Sequence, residues 1–141
     1  MKSMIISLLS LLFILGCSET EESSTSSDKK INGKWVLTEV FVHPPNGSGW
    51  RNAETDEMFT IEFLTNNTFT SNQYMNCSTG IVSTTNEEIT LDYECPNFSM
   101  GYEDPDGTFK YSYILSSDIL EITPLNYACF EGCKFRLVRV P

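Results

Sequence analysis

Ile31-Asn32-Gly33-Lys34-Trp35-Val36-Leu37-Thr38-Glu39-Val40-Phe41-Val42 decides the fold of this chain. It follows a polar, charged stretch and holds Trp35, one of two tryptophans. Its β-branched and aromatic residues suit a pleated, half-buried surface. Trp35, Leu37 and Phe41 are expected on one face of a strand over residues 33–43, with Val36, Val40 and Val42 on the other. Pro44-Pro45-Asn46-Gly47-Ser48-Gly49 then breaks the strand. At the far end of the chain, Lys134-Phe135-Arg136-Leu137-Val138-Arg139-Val140 is the natural partner for closure onto it.

Between these two stretches the sequence alternates at the period of strands. Residues 58–64 place Phe59, Ile61 and Phe63 inward and Thr60 and Glu62 outward. Further strands are predicted over 68–74, 80–84, 88–94, 108–115 and 119–123, with a last one over 133–140. Two longer loops interrupt them, one to residue 57 carrying Trp50 and Arg51, the other over 96–107. No helical periodicity competes. The expected architecture is all-β, an eight-stranded antiparallel up-and-down barrel, because closure removes exposed strand edges.

The chain has 141 residues, of which about 110 follow the polar stretch, enough for one modest barrel. The formal net charge is -10, and removing the leader would take Lys2 with it. An acidic chain with no Lys/Arg cluster is a poor nucleic-acid binder, whose affinity rests on phosphate neutralisation. The same charge disfavours electrostatic attachment to anionic lipid.

The first residues have a different design. Met1-Lys2-Ser3 precedes a short apolar run over residues 4–15, the layout of a secretory signal too short to span a bilayer. The run ends in Ile14-Leu15-Gly16-Cys17, which resembles the bacterial lipobox. That resemblance implies cleavage before Cys17 and lipidation of its sulfur, and multiple acyl chains are what give stable anchoring. Residues 18–30 contain no apolar side chain and read as a tether. Its early acidic cluster resembles the surface-export signals of Bacteroidetes-type lipoproteins. The predicted organisation is a signal peptide over 1–16, a lipidated Cys17 with tether over 17–30, and a barrel domain over 31–141. The expected location is the bacterial cell envelope at the outer membrane, on the periplasmic or the surface-exposed leaflet.

Gly33-Lys34-Trp35 opening the first strand, with a basic residue near the end of the last, resembles the signature of the lipocalin or calycin superfamily. The resemblance implies a tryptophan plugging one barrel end with an arginine packed over it. Arg139 is the candidate, in phase with Phe135 and Leu137; Arg136 is the alternative. It further implies a cup for a small apolar ligand, whose candidate lining is Phe59, Ile61, Phe63, Phe69, Leu91, Tyr93, Phe109, Tyr111 and Tyr113. The strands are shorter than in large lipocalins, and a small barrel can be filled by its own side chains. A second resemblance rests on Asn76-Cys77-Ser78-Thr79-Gly80 and Tyr93-Glu94-Cys95-Pro96, which look like the cysteine pair of META-type domains. It lacks that family's helical segment.

An exported protein keeps disulfides. Apart from Cys17, Cys77, Cys95, Cys129 and Cys133 allow three pairings. A hairpin centred on Asn86 would set Ile81 opposite Leu91 and Cys77 opposite Cys95, leaving Cys129 and Cys133 to clamp their own loop; a two-residue turn would shift this register. Metal binding and cofactors are not expected: the spacing is not that of a zinc ribbon, and His43 is the single histidine. Glu103-Asp104-Pro105-Asp106-Gly107 lacks the later ligands of a calcium loop and reads as a turn. No nucleophile motif or phosphate-cradling loop occurs, so no catalysis is expected. Two readings remain: a monomeric, lipid-anchored binder of a small hydrophobic ligand, or a filled barrel whose loops, with Trp50 and Tyr102 exposed, meet an envelope protein.

Overall fold

A computed structural model describes residues 31–43, 47–127 and 133–141. The leader, the tether and Cys17 lie outside the described residues, as does Cys129. Among the described residues nine strands form one antiparallel sheet: β1 (Gly33–Val42), β2 (Gly49–Asn52), β3 (Thr60–Phe63), β4 (Thr68–Tyr74), β5 (Cys77–Thr84), β6 (Glu88–Tyr93), β7 (Thr108–Ser116), β8 (Ile119–Pro124) and β9 (Lys134–Val140). From β3 to β9 each strand pairs with the next, and β9 returns to pair with β1 from Lys34↔Val140 to Phe41↔Lys134. The result is the expected eight-stranded closed barrel, with β2 as an added ninth strand.

The first strand departs from its expected phase. A β-bulge lies between Leu37 and Glu39, where the extra residue, Thr38, hydrogen-bonds through its hydroxyl to the Arg136 carbonyl at 3.1 Å. Because side chains alternate, the bulge moves the inward set from Trp35 and Leu37 to Val40 and Val42. Phe41, expected beside Trp35, instead faces outward. Below the bulge β1 pairs with β3 (Trp35↔Ile61); above it β1 pairs with β2 (Phe41↔Trp50). Trp50, expected in an exposed loop, is therefore a half-buried strand residue. It stacks on the outer wall over the Arg136 guanidinium, 3.9 Å from ring centroid to guanidinium carbon, and against Phe41 at 5.3 Å. Arg136 also bonds Glu39 at 2.6 Å and Glu121 at 3.3 Å, so the outward alternative to Arg139 serves the wall.

One barrel end is closed by Trp35. Its ring is fully buried and its indole N–H donates to the Ile31 carbonyl at 2.7 Å. The Arg139 guanidinium carbon stands 4.2 Å from the ring centroid, and its Nη1 donates to the Asn32 carbonyl at 2.5 Å. Gly33 has φ 118°, and a Cβ there would come within 2.7 Å of Arg139 Nη1. The backbone conformation thus calls for glycine, and any side chain there would also push the Arg139 guanidinium aside.

The β5–β6 hairpin turns through Asn86 and Glu87, with Thr85 N donating to the Glu88 carbonyl and the Thr85 hydroxyl accepting from Glu88 N. This two-residue turn sets Val82, not Ile81, opposite Leu91. The Cys77–Cys95 disulfide forms nonetheless, because β6 leaves the ladder after Tyr93. Cys133 is also disulfide-bonded.

Gly80 marks the tightest point of the wall. The row Phe69↔Gly80↔Tyr93 crosses three strands, and the flanking rings meet over the glycine at 4.9 Å, edge to face. A Cβ on Gly80 would collide with the Asp92 carbonyl and the Phe69 ring. Gly80→Ala should therefore destabilise the barrel by about 2–3 kcal/mol, read as a lowered urea midpoint at unchanged slope. A midpoint within error of the parent would show that the wall yields there.

Candidate functional site

The hairpins sort the connections into two groups. Turns 64–67, 85–87 and 117–118 lie at the Trp35 end, together with Ile31 and Val140. Segments 75–76 and 94–107 and residues 125–127 lie at the other end, and 53–59, whose ends bond Thr38 and Leu37, flanks it beside the top of β4. This loop-bearing end is the candidate site.

Inside it, aromatic rings form a plug. Tyr74 stacks on Phe109 at 5.5 Å, and Tyr93 meets Phe109 edge-on at 5.6 Å. Phe98, from the 94–107 loop, packs against Tyr93 at 5.0 Å and Tyr74 at 5.2 Å. Tyr102, from the same loop, and Tyr127 add rings 5.3 Å apart above Phe109. Each such pair contributes about 0.5–1.5 kcal/mol beyond its burial.

The 94–107 loop is fastened over this plug at several points. Cys95 ties its start to Cys77. Asn126 clasps its end, donating to the Asp104 and Thr108 carbonyls and accepting from Lys110 N at 2.8 Å. Glu103 is the internal anchor, only 5% exposed. Its carboxylate accepts from Met100 N at 2.7 Å, Gly107 N at 3.0 Å and Tyr102 N at 3.2 Å. Burial opposes its charge, but these backbone N–H groups outweigh burial and hold its pKa down at about 2. The Glu103–Gly107 run is thus a turn whose first carboxylate is spent on its own backbone. The peptide bond Asp104–Pro105 is cis.

Burial raises the phenols of Tyr74, Tyr93, Tyr111 and Tyr127, the last to about 12. Tyr127 donates to the Tyr111 hydroxyl at 3.4 Å. The Tyr93 hydroxyl is buried without a well-formed hydrogen bond, although the Ser71 side chain tempers the effect of burial on it. These groups stay neutral near pH 7 and act through packing and hydrogen bonding.

Of the nine residues expected to line a cup, eight are buried in the core: Phe59, Ile61, Phe63, Phe69, Leu91, Tyr93, Phe109 and Tyr111. Tyr113 is only partly buried, and its hydroxyl donates to the Thr85 carbonyl at 3.0 Å, at the closed end. The void bounded by Phe59, Ile61, Gln73, Leu91, Tyr111 and Leu137 measures about 10 Å³. That is room for no more than one water molecule.

What the loop end offers outward is a rim of exposed apolar side chains. Met75 projects fully from the β4–β5 turn, and Met100, Tyr102 and Leu125 are about half exposed. Continuing the β3–β4 register sets exposed Met58 level with Tyr74. Sequence reading found Tyr102 but missed the methionines, since nothing in a loop's composition says which side chains turn outward. It did not single out Phe98, and it read the Glu103–Gly107 run as a turn without giving Glu103 its role as the buried anchor. His43 is exposed and edge-on to Phe41 at 4.9 Å. Among the described residues no three His, Cys, Asp or Glu side chains converge as a metal site.

Comparison with protein-family models, curated proteins and solved structures returned no match to the chain.

Glu103 gives the loop end a pH signature. Its folded pKa lies below the ordinary carboxylate value of 4.5, so its stabilisation is complete above about pH 5 and lost as pH falls toward 2. Glu103→Gln should cost about 2–3 kcal/mol at pH 7 and flatten the stability profile between pH 5 and 2. Glu57, held at about 2 by Arg51, titrates in the same window, so part of the slope should persist. Denaturant midpoints across that range check this, and an unchanged profile would contradict the anchor.

Proposed function

We propose that this chain is a lipid-anchored envelope protein whose filled barrel is a scaffold for protein contacts at its loop-bearing end. The observation that carries this reading is the interior: among the described residues, the void between Phe59, Ile61, Leu91, Tyr111 and Leu137 is about 10 Å³, too small for an organic ligand. The plug and its fastened loop support the same reading, since they occupy the position of a cup's mouth. Recognition then falls to the rim, as on other rigid scaffolds.

The lipid anchor rests on the lipobox-like run before Cys17. The geometry fits it. Ile31 lies at the Trp35 end, so a tether over 17–30 would lead to the closed end and turn the loop end away from the bilayer. A flexible tether of that length spans roughly 20 Å on average and about 45–50 Å at full extension. The barrel would stand off the membrane with its rim available to a partner in the periplasm or outside the cell.

Three measurements test the proposal. Labelled fatty acid should be incorporated into the chain in its bacterial host and lost in Cys17→Ser; equal labelling would remove the anchor. Tyr111→Ala should destabilise the fold by about 3–5 kcal/mol; a stable variant that merely loses a bound small molecule would restore the cup. A photo-crosslinking residue at Tyr102 should give protein adducts in the envelope, while one at Ile81 on the barrel wall should not. Equal adducts from both positions would remove the loop end as the contact surface.

A further inference from the structure

The two barrel ends differ in charge as well as in shape. Among the described residues at or beside the loop end, 43, 47–48, 53–59, 75–76, 94–107 and 125–127, none is Lys or Arg. Glu54, Asp56, Glu94, Asp104 and Asp106 are exposed there. The nearest cations stand on the flanking strands: Lys110 in β7, whose carbonyl accepts from Leu125 N at 2.8 Å, Arg51, which pairs with Glu57 at 2.5 Å, and Lys134, 5.6 Å from the Phe41 centroid on the outer wall. An apolar rim is therefore set among carboxylates with no positive charge in its loops.

We infer that the loop end docks a basic, apolar segment of another protein, with Tyr102 taking a cationic side chain between Met100 and Asp104. The inference rests on the contact reading above and adds the chemistry of the partner. Tyr102 is 49% exposed, and its ring is held in place by Phe109 at 6.3 Å and Tyr127 at 5.3 Å. A lysine or arginine over a fixed aromatic face gains a cation–π contact, and the flanking carboxylates add to it. Met58, Met75 and Leu125 supply an adaptable apolar surround, as methionines do at binding surfaces. Charge complementarity selects a protein segment over a membrane. Anionic headgroups would be repelled by the acidic loops, and the rim points away from the bilayer that would hold the anchor.

The test is a selection of random displayed peptides against the full chain reconstituted in phosphatidylcholine vesicles. Enriched peptides should combine Lys or Arg with apolar residues, and their affinity should fall about tenfold or more between low and high salt. Met100→Ser with Tyr102→Ala keeps the net charge and alters only exposed side chains. It should weaken the selected peptides about tenfold while the chain stays folded, its melting temperature lowered only by the lost Tyr102 contacts with Phe109 and Tyr127, whereas Ile81→Ser should leave them unaffected. Asp104→Asn should weaken basic peptides more than neutral ones. Neutral or acidic peptides that still depend on Tyr102 would overturn the cationic partner and leave the contact reading standing. Peptides indifferent to Tyr102, or none at all, would overturn this inference, and matching adducts from Tyr102 and Ile81 would then remove the contact reading too. Binding of the rim to added phosphatidylglycerol vesicles, lost with the same double substitution, would overturn it in favour of a membrane.

Discussion

Closure of β1 against β9 is the constraint on which everything else depends. These are the first and last strands described, and their pairing runs the length of both. Closing the sheet removes the unpaired backbone edge that an open meander would present to other chains. It also fixes how much room the interior has. Eight short strands make a narrow barrel, and Trp35, Phe69, Phe109, Leu37, Ile89, Leu120 and Leu137 fill it almost completely. Packing at the density of a protein interior leaves little freedom for any of them to change. Pairing entropy weighs against such a fold, because its decisive contacts join residues about a hundred positions apart.

A filled interior divides the molecule into ends rather than into a wall and a cavity. The Trp35 end is bound up by Ile31, Asn32 and Arg139, and its turns are short. The other end spends its aromatic residues on a plug and the buried Glu103 carboxylate on its own backbone. Most of its hydrogen bonding is thus turned inward. What is left over on the surface is apolar and acidic, the combination that the proposed contact uses.

Much of this was legible in the sequence, for identifiable reasons. Phe59, Ile61 and Phe63 alternate with polar residues, so strand and face follow directly. Trp35 and Arg139 meet because antiparallel closure leaves few other places for them. The Cys77–Cys95 pairing was reached through a register one residue off, and it survived because Glu94 and Cys95 lie beyond the end of β6. Other features had no signal to read. Gly49–Asn52 is too short to show a period, and its pairing depends on the upper half of β1 turning away from β3. The register of β5 with β6 hung on whether Asn86 was the centre of the turn or half of it. Phe98 and the exposed methionines occupy loops, where position is set by tertiary contacts such as those of Glu103 and Asn126.

The bulge at Thr38 makes β1 two half-strands of opposite handedness in their use of the interior. A deletion there would leave the faces as they are, because Leu37↔Leu137 would then run straight on to Glu39↔Arg136. Drawing Thr38 into the ladder instead would turn the upper half inside out, bringing Glu39 and Phe41 to the inner face and leaving Val40 and Val42 on the wall. Trp50 would then lose its ring partner and Arg136 its tie to Glu39. The looped-out residue is thus a phase corrector, and what the upper half requires is that Thr38 stay outside the ladder.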